Sequence, residues 1–387
     1  RIVADDSLPF LEHLLADHVH LRRVPADQLN SSTLAGADGL IVRTVTAVTE
    51  ALVAGSPVRW VGTASSGTDH LDLPYLRSRG IEVASSLGAN ALSVVQYVLT
   101  QIGAWAQMHE RELAQVSLGL IGCGHVGTML KETATELGMR VEAYDPWQQS
   151  CKDTVLEQVC TCDVISLHAS VIKNQRGQYP GPASAFHLLD DQCLPLLKSS
   201  QLLLNTARGD MLAPGVIGNL HRHCPQLQLA LDVWHDEPCI DAAEIAQCWR
   251  VSPHIAGLSL PARAASIRKV AQKAREFFQL GAEAIAVGAQ SQSAQPTILA
   301  AEAVAQAEGQ IARFGLPVAL MHRSVPVVEA DQQMRQTIKR AEPADNPAVF
   351  RQLRAQFSDW PGLGCLQAQW TPRAQQVLQA IGYQLID

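Results

Sequence analysis

The 387-residue sequence predicts an α/β protein made of doubly wound parallel sheets, and three observations point there. Short β-rich apolar runs alternate with helical patterns through the first 280 residues, as parallel sheets covered by helices require. A glycine-rich turn joins one such run directly to a helical pattern. Two long helical stretches, Asn90 to about Glu112 and Leu260 to about Leu280, bracket the segment that holds this turn.

The strands are read at Arg1–Ala4, Gly39–Arg43, Arg59–Gly62, Ser117–Ile121, Arg140–Tyr144, Val164–Leu167, Gln201–Asn205 and Leu227–Leu231. A segment set between two long helices implies one domain made from both ends of the first 280 residues, with another inserted. The expected partition is 1–92 with 258–282, then 93–257. After Gly281 alanine and glutamine become frequent and prolines punctuate the chain. A linker near 282–297 and a third, smaller α/β unit over 283–387 are expected, with amphipathic helices at Val349–Phe357 and Ala374–Ile381. The stretch Arg176–Pro182 reads as a surface loop from its turn chemistry.

Composition narrows the function classes. Apolar residues make up 47% and charged residues 17%, which is ordinary for a globular enzyme. A formal net charge of -7 argues against nucleic acid as the main partner, because phosphate backbones need a basic face. No apolar run is long enough for a membrane span. The opening RIVADDSLPF reads as a buried strand and not as an export signal. Nine scattered cysteines fit reduced cytoplasmic thiols better than a disulfide framework. The pair Cys160 and Cys162, and the cluster His221, His223 and Cys224, lack a second ligand pair at zinc-like spacing, so no metal is expected.

The glycine turn is Gly122-Cys123-Gly124-His125-Val126-Gly127, after the strand VSLGLI and before the helical TMLKETATELG. Gly122 makes the tight turn, Gly124 lets the backbone approach a pyrophosphate, and Gly127 lets helix and strand pack closely. His125 and Val126 fall at the helix N-terminus, where free N–H groups and the dipole favour phosphate. The next strand ends in Asp145, whose carboxylate accepts from ribose hydroxyls and repels a 2′-phosphate. No arginine follows it in DPWQQ, so NAD is expected over NADP.

Three later segments carry chemistry at strand ends: Asn205–Gly209, Leu231–Pro238 and Ser252–Gly257. They supply Arg208, Glu237 and His254. A guanidinium forks onto a carboxylate and polarises a carbonyl oxygen. A histidine takes a hydroxyl proton as hydride leaves, and a paired carboxylate orients its ring. Taken alone, a histidine at a strand end is usually a satisfied core residue, and Glu-Pro is usually a turn. Their conjunction in one nucleotide-binding segment favours catalysis.

The order G-x-G-x-x-G, distal Asp, N-x-x-R-G, D-V-x-x-x-E-P and H-I-A-G resembles the D-isomer-specific 2-hydroxyacid dehydrogenase family. The segments Val42–Thr46, Val61–His70 and Asn90-Ala91 resemble its erythronate-4-phosphate dehydrogenase branch. The resemblance spans about the first 280 residues well. It matches more loosely afterwards, through VFRQLRAQF and LQAIGYQLI. It implies a Rossmann domain inserted in a flavodoxin-like substrate domain, plus a C-terminal domain that takes part in homodimer formation. It also implies oxidation of a small phosphorylated hydroxy acid, 4-phospho-D-erythronate, by NAD in pyridoxal phosphate biosynthesis. By position it assigns Arg208, Glu237 and His254 to catalysis. Asp145, Thr206, Ala207, Arg208, Asp232 and Gly257 fall at NAD contacts, and Thr44 and Ser65 at substrate contacts. Leu258 stands where the family has a substrate-touching tyrosine, Ala169 where it has threonine, and Gln96 where it often has glutamate. A loop, Ile172 to Ala185, is inserted. Two alternatives stand beside this reading: a sibling dehydrogenase acting on another D-2-hydroxy acid, and an NAD(H)-binding regulator without turnover.

Overall fold

The structure, a computed structural model, describes residues 1–15, 19–151, 154–171, 185–280 and 296–386. Its described residues fall into two compact units, one within 1–90 and 260–293, the other within 91–259 and 294–387.

The first unit holds β1 (Ile2–Asp5), α1 (Leu11–Leu15), β2 (Leu21–Val24), β3 (Gly39–Val42), α2 (Glu50–Val53), β4 (Trp60–Thr63), α3 (Leu73–Ser78) and β5 (Glu82–Ser85). The strands form one parallel sheet in the order β2-β1-β3-β4-β5. The central strands IVAD, GLIV and WVGT are buried along their whole length, as strands covered on both faces must be. Strands β2 and β5 were not among the expected elements. LRRV and EVAS sit at the sheet edges, where half-exposed strands lose the apolar run.

The second unit opens with α4 (Ala91–Met108), which is buried almost all round. That is why its sequence reads apolar on every face. There follow β6 (Ser117–Ile121), α5 (His125–Glu136), β7 (Arg140–Tyr144), α6 (Leu156–Cys160), β8 (Val164–Leu167), β9 (Leu202–Asn205), α7 (Val216–His223), β10 (Gln228–Leu231), α8 (Ala242–Gln247) and β11 (Arg250–Val251). These strands form a six-stranded parallel sheet ordered β11-β10-β9-β8-β6-β7. The helix α9 (Leu260–Phe278) returns to the first unit, where Gly62 leaves room for it: a Cβ there would lie 2.7 Å from Val270.

The remaining elements are β12 (Thr297–Ile298), α10 (Ala301–Phe314), α11 (Val318–Met321), α12 (Val327–Arg340), α13 (Asn346–Phe357), β13 (Cys365–Gln367), α14 (Pro372–Ala380) and β14 (Gln384–Ile386). They carry a three-stranded parallel sheet, β12-β13-β14. Their apolar residues nevertheless belong to one continuous core with the six-stranded sheet, so this segment packs as part of the second unit. Asp331 of α12 shows how: it accepts from the Val251 N–H at 2.9 Å and pairs with Arg250 and Arg335, covering the edge strand β11. Gln96 of α4 donates to the Ile381 carbonyl at 3.2 Å. The segment is also more helical than its alanine- and glutamine-rich sequence suggested. The inserted loop at 172–184 and most of the expected linker lie outside the described residues. No helix among the described residues is long and apolar enough to cross a membrane.

Candidate active site

Register aligns the site. Ile121, Leu167, Asn205, Leu231 and Val251 form one row across β6, β8, β9, β10 and β11. The chain leaves that row at Gly122, His168, Thr206, Asp232 and Ser252, so each sequence motif starts on the row or directly after it. Strand-end backbone bonds carry the row onward: His168 N–H to Ile121 O at 2.7 Å, Asp232 to Asn205 and Ser252 to Leu231 at 3.0 Å each. The motifs therefore share the carboxyl edge of one parallel sheet, where ligands of doubly wound folds sit.

At β6 the turn has the shape a pyrophosphate needs. Gly122 has φ +98°, and a Cβ on it would lie 2.4 Å from the Ala169 nitrogen. A Cβ on Gly127 would lie 1.9 Å from the Gly122 oxygen, so helix α5 can approach β6 only through glycine. Gly124 differs, because a Cβ there would meet nothing within 4 Å. It is exposed, as is His125, and its backbone is open to a ligand. Val126 is half-buried beneath them. Asp145 serves the turn: its carboxylate accepts from the Cys123 N–H at 2.8 Å and the Trp147 N–H at 3.0 Å. The neighbouring His168 stays neutral, since burial pushes it down to about 3.

At β9 the buried Asn205 side chain shapes the arginine loop. It accepts from the Ala207 N–H at 3.1 Å and donates to the Arg208 carbonyl at 2.8 Å. Asn205 belongs to the quoted motif but was not singled out as a site residue. The buried hydroxyl of Thr206 has no hydrogen-bond partner among the described residues, which fits a residue reserved for cofactor. Gly209 brings this loop against the next one: a Cβ would lie 2.0 Å from the Trp234 carbonyl carbon.

At β10 and β11 the polar groups interlock. His254 Nδ1 lies 2.7 Å from Glu237 Oε2, while Glu237 Oε1 accepts from the Trp234 N–H at 2.8 Å. Burial raises the Glu237 pKa, but the His254 charge and hydrogen bond, the Trp234 N–H and the Arg354 charge together hold it below the ordinary value. His254 has φ +58°, a left-handed conformation that an ordinary side chain adopts only when its surroundings enforce it. Asp232 provides much of that enforcement. Its buried carboxylate accepts from the Ser252 hydroxyl at 2.6 Å, the Ile255 N–H at 2.8 Å and the Ala256 N–H at 3.0 Å. Burial pushes Asp232 up, against the His254 charge and these three donors. Tyr97 extends the network from α4, with its hydroxyl 2.6 Å from Ser252 Oγ.

Trp360 was missed by sequence reasoning. Its indole N–H donates to the Ile255 carbonyl at 3.0 Å, and the Asp359 N–H donates to Leu258 at 2.7 Å. No local pattern connects positions a hundred residues apart. Gly257 and Leu258 are half-buried in the same turn.

The remaining substrate candidates lie in the first unit. Thr44 is exposed just beyond β3. Ser65, beyond β4, lies 2.7 Å from the Thr63 hydroxyl, which in turn lies 2.9 Å from His70 Nε2. Arg43 is held by Asp5 at 3.0 Å. Among the described residues no three histidine, cysteine or acidic side chains gather as metal donors.

Residues 94–256 match the model of the D-isomer specific 2-hydroxyacid dehydrogenase, NAD binding domain. An erythronate-4-phosphate dehydrogenase of Pseudomonas fluorescens Pf-5 is 40% identical over 281 residues, covering 72% of each chain. One from Pseudomonas aeruginosa PAO1 is 40% identical over 265 residues, covering 67% of this chain and 68% of its own. Among solved structures, an NAD+-bound 3-phosphoglycerate dehydrogenase of Entamoeba histolytica superposes with TM-score 0.59 at 23% identity, over 72% of this chain and 95% of its own. A D-lactate dehydrogenase of Aquifex aeolicus complexed with NAD and lactic acid gives 0.52 at 21% identity, over 72% and 96%.

Proposed function

The chain belongs to the D-isomer-specific 2-hydroxyacid dehydrogenase family, in its erythronate-4-phosphate dehydrogenase branch, and from that premise we propose that it oxidises 4-phospho-D-erythronate at C2 to the 2-oxo acid. It is an NAD-dependent dehydrogenase. The observation that carries the proposal is the His254–Glu237 pair, in the loops that leave the same carboxyl edge of the sheet as the glycine turn.

Bound NAD would supply the acceptor for the C2 hydride. Gly122, Gly124, His125, Val126 and Gly127 would hold its pyrophosphate, and Asp145 its ribose. Thr206, Ala207, Asp232 and Gly257 would line the remainder. The open backbone at Gly124 and the unpartnered Thr206 hydroxyl fit that assignment. Arg208 forks onto the substrate carboxylate, which fixes C2 in place, and polarises the C2 carbonyl in the reverse, reductive direction. His254, with Nδ1 committed to Glu237, has Nε2 to take the hydroxyl proton. Glu237 then stabilises the imidazolium. Thr44, Ser65 and Leu258 belong to the substrate in the same proposal.

So do the functional partition and setting. Residues 1–92 with 258–282 serve substrate, 93–257 serve NAD, and 283–387 serve homodimer formation, in a cytoplasmic enzyme of pyridoxal phosphate biosynthesis. Incubation with NAD and 4-phospho-D-erythronate, with and without 2-oxoglutarate, tests the reading by NADH absorbance and 2-hydroxyglutarate formation. Turnover supports it, and dependence on 2-oxoglutarate marks a retained cofactor. NAD binding without turnover would redirect the assignment to another D-2-hydroxy acid. Leu258, which lacks a hydroxyl to offer substrate, favours that second reading and would be the first residue to change.

A further inference from the structure

We propose that Cys123 and Cys151 form a redox modification site in the cofactor turn, where oxidation to a disulfide weakens NAD binding. Cys123 lies between Gly122 and Gly124 of the turn, and Cys151 closes the short 3-10 turn Gln149–Cys151 that follows β7. Their sulfurs are 2.8 Å apart, with both residues buried. The other buried thiols that make hydrogen bonds, those of Cys162, Cys193, Cys224 and Cys248, give them to backbone carbonyls. A disulfide needs its sulfurs about 2.05 Å apart, so closure requires a contraction of less than an ångström.

The oxidant is a hydroperoxide, with hydrogen peroxide as the simplest case. Burial first, and the Cys151 thiol next, push Cys123 up to about 12, so Cys123 holds its proton until it resolves the oxidised partner. The Cys151 sulfur attacks one peroxide oxygen, the O–O bond breaks, and a sulfenic acid and one water form. The Cys123 sulfur then attacks the Cys151 sulfur. The S–S bond forms as the S–O bond breaks, and a second water leaves with the Cys123 proton. Two thiols and one peroxide become one disulfide and two waters, with two electrons passing to the peroxide.

The closure is felt because the turn has no slack. The Cys123 N–H is bonded to Asp145 at 2.8 Å. Gly122 and Gly127 pack so tightly that a methyl group at either would overlap backbone. Drawing residue 123 toward residue 151 therefore shifts the Asp145 carboxylate or the N–H groups beyond Gly124. A misplacement below an ångström there is expected to raise the Kd for NAD by about tenfold.

The whole protein is treated with hydrogen peroxide, its remaining thiols are alkylated, and its peptides are mapped by mass spectrometry. NAD binding is measured by calorimetry before and after. The expected result is a Cys123–Cys151 linked peptide with weakened NAD binding that dithiothreitol restores. In Cys151→Ser the linked peptide disappears, and peroxide leaves NAD affinity unchanged. Absence of the linked peptide, linkage confined to other cysteines, or a linked protein that binds NAD as the reduced one does would each overturn the proposal. These readouts need no substrate, so they stand apart from the identity of the hydroxy acid.

Discussion

Glu237 Oε2 lies 2.7 Å from His254 Nδ1, joining the loops that leave β10 and β11. The bond commits one ring nitrogen of a histidine held at φ +58°, a region that few non-glycine residues occupy. Geometry of this kind is expensive to hold. Here Asp232 supplies the restraint by gathering the Ser252 hydroxyl before His254 and the Ile255 and Ala256 N–H groups after it.

Replacing His254 by Asn is the cleanest removal of the proposed proton acceptor, because asparagine tolerates the left-handed conformation better than most residues. We expect turnover to fall by about a hundredfold to ten-thousandfold. NAD affinity should stay within about twofold by calorimetry, since a general base acts on substrate. Unchanged turnover would remove His254 from the mechanism.

Glu237→Gln tests the charge of the pair. Glu237 is held below its ordinary value, so its ionised form contributes stability that is present above the unfolded carboxylate pKa and lost as pH falls through the depressed one. Wild type should therefore exceed the glutamine variant in Tm at neutral pH, and the gap should close in acid. A gap that widened on acidification would reverse the assigned sign.

Two alanine substitutions in one turn should separate cofactor contact from folding. At Gly124 a methyl meets nothing within 4 Å, and φ is -71°, so the fold should be indifferent while the Kd for NAD rises at least tenfold. At Gly127 a methyl would sit 1.9 Å from the Gly122 oxygen, and urea unfolding should show a loss of about 1–3 kcal/mol. Equal effects of the two on Tm would contradict this division.

Trp360→Phe keeps the ring but leaves the Ile255 carbonyl without its 3.0 Å donor. That carbonyl still accepts from the Leu258 N–H at 2.9 Å, so the loss is that of one hydrogen bond, about 0.5–1.5 kcal/mol. Because Ile255 follows His254, kcat should fall more than NAD affinity does. A variant that lost stability with kcat intact would confine Trp360 to packing.

The sequence by itself determined most of the element order and the chemical groups. Strands such as LLLN and helices such as α4 declare themselves through local runs, and the glycine turn, Arg208, Glu237 and His254 fall in short motifs directly after strands. Edge strands escaped because LRRV and EVAS lack the double-sided apolar run of central ones. Tertiary structure alone decided the pairings across long separations: Trp360 with Ile255, Asp331 with Val251, Tyr97 with Ser252, and Cys123 with Cys151. Periodicity reports which face of an element is buried, through the spacing of neighbours along the chain. It carries nothing about which distant element covers that face, so each of these contacts became visible only once the chain was folded.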